Sequence, residues 1–218
     1  MSETTLLNAQ ETALFFDVIK ERHSVRSYDP TVKISREEMN EMLQLATLAP
    51  SSSNLQPWRF LVIDADDLKQ QLLPIAFNQQ QVVEASAVIA ILGDLKSYEK
   101  ASQIYAQAVE AGYMAQDVAT SFVDRTVSMY SSLSDEHRKQ IVVTDGGLIA
   151  MQLMLIARAK GYDTVPMGGY DKVKFAEAYQ LPDHYVSVML LAIGKAAKPG
   201  HPTKRLPLED VVSYNQLT

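Results

Sequence analysis

From Gly146 to Lys160 the chain is apolar nearly all the way round, with Leu148, Ile149, Met151, Leu153, Met154, Leu155 and Ile156 leaving a helix there no polar face. Such a helix must be covered on every side, either at the centre of the fold or in a subunit interface. Gly161 is its expected C-terminal stop, because glycine takes the left-handed conformation there at no steric cost. The rest of a 218-residue chain has to supply that cover.

Trp58 to Ile63 reads as a strand, Ala87 to Leu92 as a second, fully buried one, and Val186 to Ile193 as a third. Helical periodicity runs over Thr12 to Arg22, where Leu14, Phe15, Val18 and Ile19 share a face. Ser35 and Glu38 have the spacing of a capping box, opening a helix that buries Met39, Met42, Leu43 and Ala46 and stops before Pro50. Shorter helical segments are expected over Asp66 to Leu73 and Asn78 to Ala85, and a less regular one from Tyr98 to Tyr130. Strands separated by helices give an α/β or α+β class. No repeat, low-complexity block or linker-like break interrupts residues 1–218, so one domain is expected.

A formal charge of −6 argues against nucleic-acid binding and against attachment to an anionic membrane. The absence of cysteine excludes disulfides, thiolate metal sites and thiol nucleophiles, and fits the reducing cytoplasm. Met1 to Gln10 carry no apolar core of a signal peptide, and no apolar run approaches the roughly 20 residues of a spanning helix.

Two polar stretches interrupt this pattern. Glu21-Arg-His-Ser-Val-Arg-Ser-Tyr28 reads as extended, which places Arg22, Ser24 and Arg26 on one face. Two guanidiniums and a hydroxyl on one edge suit a phosphate, although a solvated polar strand would look the same. Pro50-Ser-Ser-Ser-Asn-Leu-Gln-Pro57 is a loop of hydroxyls and amides running straight into Trp58, and loops held by rigid elements are where sites are built.

Arg22-His-Ser-Val-Arg26 and Ala49-Pro-Ser-Ser-Ser-Asn-Leu-Gln-Pro-Trp58 resemble the two N-terminal signatures of the nitroreductase family of flavoproteins. Val165-Pro-Met-Gly-Gly-Tyr-Asp171 resembles its third and Arg205-Leu-Pro its fourth, all in order from about Phe16 to Val212. The resemblance implies a central, mostly antiparallel sheet flanked by helices, in an intertwined homodimer with exchanged terminal segments and FMN at the subunit interface. It implies NADH or NADPH as electron donor and a nitroaromatic, quinone or related small molecule as acceptor, in ping-pong turnover. By the same resemblance Arg22, Ser24 and Arg205, with Lys204 beside it, hold the phosphate and ribityl chain, and His23 contributes backbone. Arg26 lies under the pyrimidine edge of the ring. Pro50, Ser51, Ser52, Ser53, Asn54 and Gln56 form the loop that reaches the flavin from the second subunit, and Asn78 bonds the ring edge. Pro166, Met167, Gly168 and Gly169 lie beside N5.

The sequence departs from the family at two of these positions: Gly168 stands where many members carry an acidic residue, and Gln81 where many carry a lysine facing the ring. Less positive charge then faces the flavin, and contact to N5 falls to backbone amides of Gly168 and Gly169. No G-x-G-x-x-G follows a strand, so no Rossmann site is expected, and the four histidines lack metal-ligand spacing. Tyr105, Tyr113, Phe122 and Tyr130 either cover an acceptor pocket or belong to the core. A flavin-binding protein that stores, senses or cleaves FMN without an external acceptor would carry the same phosphate site.

Overall fold

The computed structural model describes residues 9–217, with side chains from residue 14; the N-terminal stretch Met1–Asn8 on which the signal-peptide expectation rests lies outside them. Four strands, β1 (Trp58–Ile63), β2 (Ala87–Asp94), β3 (Asp163–Met167) and β4 (Tyr185–Gly194), make one sheet in the order β1-β2-β4-β3. Every neighbouring pair is antiparallel. The helices are α1 (Ala9–Glu21), α2 (Arg36–Ala46), α3 (Asp66–Ile75), α4 (Gln81–Glu84), α5 (Ala101–Glu110), α6 (Gln116–Ser132), α7 (Asp135–Ala159) and α8 (Lys172–Ala178).

The sheet is covered on both faces. On one, α7 sets Ile149, Ala150, Leu153, Met154 and Ala157 against Ile89, Ile91, Val188, Leu191 and Ile193, with Met39, Met42 and Ala46 of α2 alongside. On the other, Leu72, Ile75, Val82 and Phe175 of α3, α4 and α8 meet Val88, Ala90, Leu92, Val165, Leu190 and Ala192. Double cover is why β2 is buried at all eight positions and reads as a continuous apolar run. The buried Lys69 of α3 donates to the carbonyls of Val83 (3.3 Å) and Ala85 (2.8 Å), closing the C-terminal end of α4.

The apolar stretch that starts at Gly146 is the C-terminal part of a longer helix. α7 begins at Asp135, capped by Ser134, whose Oγ accepts from the His137 amide. Gly146 lies inside it because the helix crosses β4 closely: a Cβ there would stand 2.9 Å from Val188 Cγ2. By length and composition α7 could cross a membrane, yet its inner side packs on the sheet. Its outer side does not. Leu148 and Met151 are 45% and 40% exposed, and with Leu155, and Leu14, Phe15 and Val18 of α1, they wall an apolar groove of about 930 Å³. Among the described residues, the helix is therefore covered on one side only.

Three expectations are corrected. Ser35 Oγ does accept from the Glu38 amide at 3.1 Å, but Glu38 does not reach back; its carboxylate accepts from the Tyr162 hydroxyl at 2.8 Å. Leu43 is half-buried beside the fully buried Met42. Asp163–Met167 is a strand, hidden in the sequence by Pro166, which ordinarily demotes a run. The backbone shows why it is tolerated. The Thr164 carbonyl points away from β4, accepting from the Val25 amide at 3.1 Å, so Pro166, two residues on, also faces the outer edge. Its missing N–H removes no bond to β4.

Candidate cofactor and active site

The basic stretch is extended and stitched to the sheet edge. Ser24 bridges Thr164 of β3 in parallel, and Tyr28 bridges Ala196 beyond β4. The Asp29 amide donates to the Lys195 carbonyl at 2.8 Å and the Ala197 amide to the Ser27 carbonyl at 3.0 Å. Val25 and Tyr28 turn into the core, while Arg22 and Ser24 are half-buried and Arg26 is exposed. Among the described residues neither Arg22 nor Arg26 has a carboxylate partner. The His23 ring bonds the Glu21 carbonyl at 2.7 Å.

Four residues beyond Thr164, about 13 Å at strand rise, Gly168 and then Gly169 follow the end of β3 at Met167. Gly168 and Gly169 are exposed and a Cβ on either meets nothing within 4 Å, so no packing within the chain requires glycine there. The segment is held from both sides. Gln79 Nε2 donates to the Gly169 carbonyl at 2.8 Å, and the Tyr170 hydroxyl hydrogen-bonds the Ser187 hydroxyl. Lys172 Nζ donates to the carbonyls of Ser187 (3.0 Å) and Val188 (3.3 Å), and burial followed by the nearby Lys139 lowers its pKa. Asn78 is exposed in a left-handed turn. Gln81 is buried, its amide spent on Gln79 Oε1 at 2.9 Å and Met167 Sδ at 3.4 Å, so its contribution is to seat the Met167–Gly169 stretch.

The serine loop is the most constrained part. Ser53, Asn54 and Gln56 all have positive φ (50°, 52° and 47°), a conformation costing roughly 1–2 kcal/mol per non-glycine residue. Such geometry persists only where neighbours over-determine it. Here the Gln56 amide donates to Ser51 Oγ at 3.0 Å and the Tyr105 hydroxyl to the Ser53 carbonyl at 3.0 Å. The Tyr130 hydroxyl reaches Ser53 Oγ at 3.4 Å. Asp145 of α7, 2% exposed, accepts from the Ser52 amide (3.1 and 3.2 Å to its two oxygens) and from Ser52 Oγ at 3.0 Å. Burial raises the Asp145 pKa despite those bonds.

Tyr105 and Tyr130 therefore belong to a small core with Leu55, Ala101 and Ala119, and their hydroxyls hold the loop; Phe122 packs on Tyr105, while Tyr113 stands 86% exposed. Pro50 lies on the rim of the apolar groove. Lys204 and Arg205 lie in a tail, residues 201–217, that is exposed throughout, and among the described residues Arg205 donates only to the Lys204 carbonyl. Among the described residues no hydrogen bond joins the serine loop or the tail to the Arg22–Arg26 or Met167–Gly169 stretches. The fold thus gathers two of the four signature stretches along one sheet edge and leaves two apart. Sequence reasoning missed Asp145, Gln79 and Tyr170; an acidic residue beside Gly-Gly inside an apolar helix was the one visible signal for Asp145.

A chain with this sheet, these helices and this edge has the nitroreductase fold. A structure of a provisionally named nitroreductase from Exiguobacterium sibiricum, solved in complex with FMN, superposes with a TM-score of 0.89 at 48% identity, over 97% of this chain and 99% of that one. YdgI of Bacillus subtilis, provisionally named an NAD(P)H nitroreductase, is 49% identical over 202 residues, 92% of this chain and 97% of its own. The CLA biosynthesis enone reductase of Lactiplantibacillus plantarum is 37% identical, over 86% of this chain and 88% of its own. The Nitroreductase family profile matches residues 19–195, and the chain belongs to that family.

Proposed function

We propose that the chain is an FMN-dependent NAD(P)H oxidoreductase that works as a homodimer in the cytoplasm and reduces nitroaromatic, quinone or related small acceptors. The observation that carries this reading is the edge of β3, where, among the described residues, Arg22 and Arg26 have no carboxylate partner and Gly168–Gly169 present open backbone further along. A guanidinium with no carboxylate beside it fits a phosphate or a ring edge that gains negative charge, and backbone free of side chains fits a flat ring laid against it. FMN, when bound, supplies the two-electron chemistry that no side chain of this protein provides.

The residues have separable tasks. Arg22 and Ser24 hold the phosphate and ribityl end, and Arg205 closes on it from the tail. Arg26 holds positive charge near the pyrimidine edge, where a fixed cation favours the reduced state. Gly168 and Gly169 offer amides and leave one face open, on which nicotinamide and acceptor take turns, giving ping-pong kinetics. Asn78 donates at the ring edge. Ser51 to Gln56 complete the site of the other protomer, in keeping with a loop that lies apart from its own chain's edge. The one-sided cover of α7 and the exposed Leu206, Leu208, Val211 and Tyr214 of the tail support that second copy.

The test is a stopped-flow reduction with NADH and with NADPH, followed by reoxidation with nitro compounds and quinones, on wild type and Arg205→Ala. The reading expects flavin bleaching and recovery in wild type. Loss of a charge-assisted phosphate contact, about 1.5–3 kcal/mol, should weaken FMN binding roughly ten- to hundredfold in the variant. A yellow wild type that neither nicotinamide bleaches would refute the oxidoreductase, and unchanged flavin content in Arg205→Ala would remove Arg205 from the site.

A further inference from the structure

The Asp145 carboxylate lies on α7, and among the described residues all three of its hydrogen bonds come from a single residue, Ser52. Among the described residues it has no cation. Arg138, which lines the same narrow cleft, is turned to the Tyr130 carbonyl at 2.9 Å and to Asp135. A buried carboxylate bound only by neutral donors is a poor device for stability, since an apolar side chain would fill the place without losing hydration. What it does well is fix the position of Ser52, because both oxygens and three bonds define where that residue stands.

Ser52 opens the turn whose next residues, Ser53, Asn54 and Gln56, are left-handed. Leu148, one helical turn beyond Asp145, lines the apolar groove that the proposed second copy would cover. The same helix thus carries an interface residue and, three positions earlier, the anchor of the loop.

We propose that Asp145 is a positioning residue for the flavin: it ties the serine loop to α7 so that the seat of the interface helix sets the loop's shape. This rests on the flavin reading above. The residue touches neither cofactor nor substrate and acts through Ser52. Its removal should therefore loosen the loop and weaken FMN binding without unfolding the chain.

The experiment uses the apo form of the full chain, as wild type, Asp145→Leu, Asp145→Asn, Ser52→Ala and the Asp145→Leu/Ser52→Ala double variant. FMN affinity is read by quenching of flavin fluorescence, loop order by amide hydrogen exchange over residues 52–56, and folding by the melting temperature without FMN. Asp145→Leu should bind FMN about ten- to hundredfold more weakly, with faster exchange in the loop and an apo melting temperature no lower than wild type. Asp145→Asn, which keeps one accepting oxygen, should fall between them and serves as the well-folded variant if leucine disturbs packing. Ser52→Ala removes the hydroxyl bond and keeps the amide donor to Asp145, so it should weaken binding more in the wild-type background than in Asp145→Leu. Equal FMN affinity and equal exchange in wild type and both Asp145 variants would overturn the proposal while leaving the flavin reading intact. So would additive losses in the double variant. Wild-type protein that fails to bind FMN would overturn the flavin reading and this proposal together, and the exchange data would still report whether Asp145 orders the loop.

Discussion

Gly146→Ala tests the close crossing of α7 over β4. A Cβ at Gly146 would lie 2.9, 3.0 and 3.3 Å from Cγ2, Cγ1 and Cβ of Val188. All three contacts are to one β-branched side chain, stiff at χ1 and fixed on a strand between two neighbours, so it cannot swing aside. Overpacking of this kind costs about 1–3 kcal/mol. Alanine is better than glycine inside a helix by about 0.8–1.0 kcal/mol. The overlap should outweigh the propensity gain, for a net loss of up to about 2 kcal/mol and a melting temperature lower by up to roughly 8 °C in a chain of this length. Relieving the overlap should reverse the sign: in a Val188→Ala background, Gly146→Ala should stabilise by up to about 1 kcal/mol. Urea unfolding of the four proteins at one protein concentration measures the cycle. Additive effects, or a Gly146→Ala variant more stable than wild type, would show that the glycine serves something other than the approach of helix to strand.

Arg26→Gln should leave oxidised FMN bound but lower its midpoint potential and slow reduction by NAD(P)H, because its charge matters more once the ring is reduced; spectroelectrochemistry decides, and lost flavin at an unaltered potential would put Arg26 at the phosphate instead. Leu148→Glu with Met151→Glu places two charges in the groove beside α1 and should convert the proposed dimer to a monomer of 24.2 kDa with weakened flavin binding, read by sedimentation; a dimer that persists would move the interface elsewhere. Burial lifts the Asp145 pKa above its ordinary value, so the native state holds that proton more tightly than the unfolded chain. The stability from this group is present below the unfolded pKa and is lost as pH rises through the folded one. Asp145→Asn should accordingly gain on wild type as pH rises across that window in denaturant titrations, and a difference independent of pH would count against a costly buried carboxylate.

Much of this was legible because burial leaves periodic marks. β1 starts and stops where its apolar run does, and β2 could be read as buried on both faces because no polar residue interrupts Ala87 to Leu92. The motifs of the site were readable as stretches, since Arg22-His-Ser-Val-Arg26 and the serine loop stand out against apolar flanks. What holds them was not. Asp145-Gly-Gly147 reads as a break before a helix, yet α7 had begun ten residues earlier; glycines required by a neighbouring strand look the same as glycines that end an element. The hydroxyls of Tyr105 and Tyr130 on Ser53 join residues 52 and 77 positions apart, and no local pattern encodes such pairs. Gln81 read as a ring-facing substitute for lysine, whereas its short amide is consumed by Gln79 and Met167.

The placing of Pro166 also bears on how the sheet avoids unwanted growth. A bare strand edge is a template for another chain, and β3 is such an edge. Ser24 occupies it at Thr164, and the next outward-facing position offers a proline with no hydrogen to give. An incoming strand would find its first seat taken and its second without a donor, so that edge cannot propagate into an aggregate. The same two residues leave the backbone that follows, Gly168 and Gly169, unclaimed by any strand.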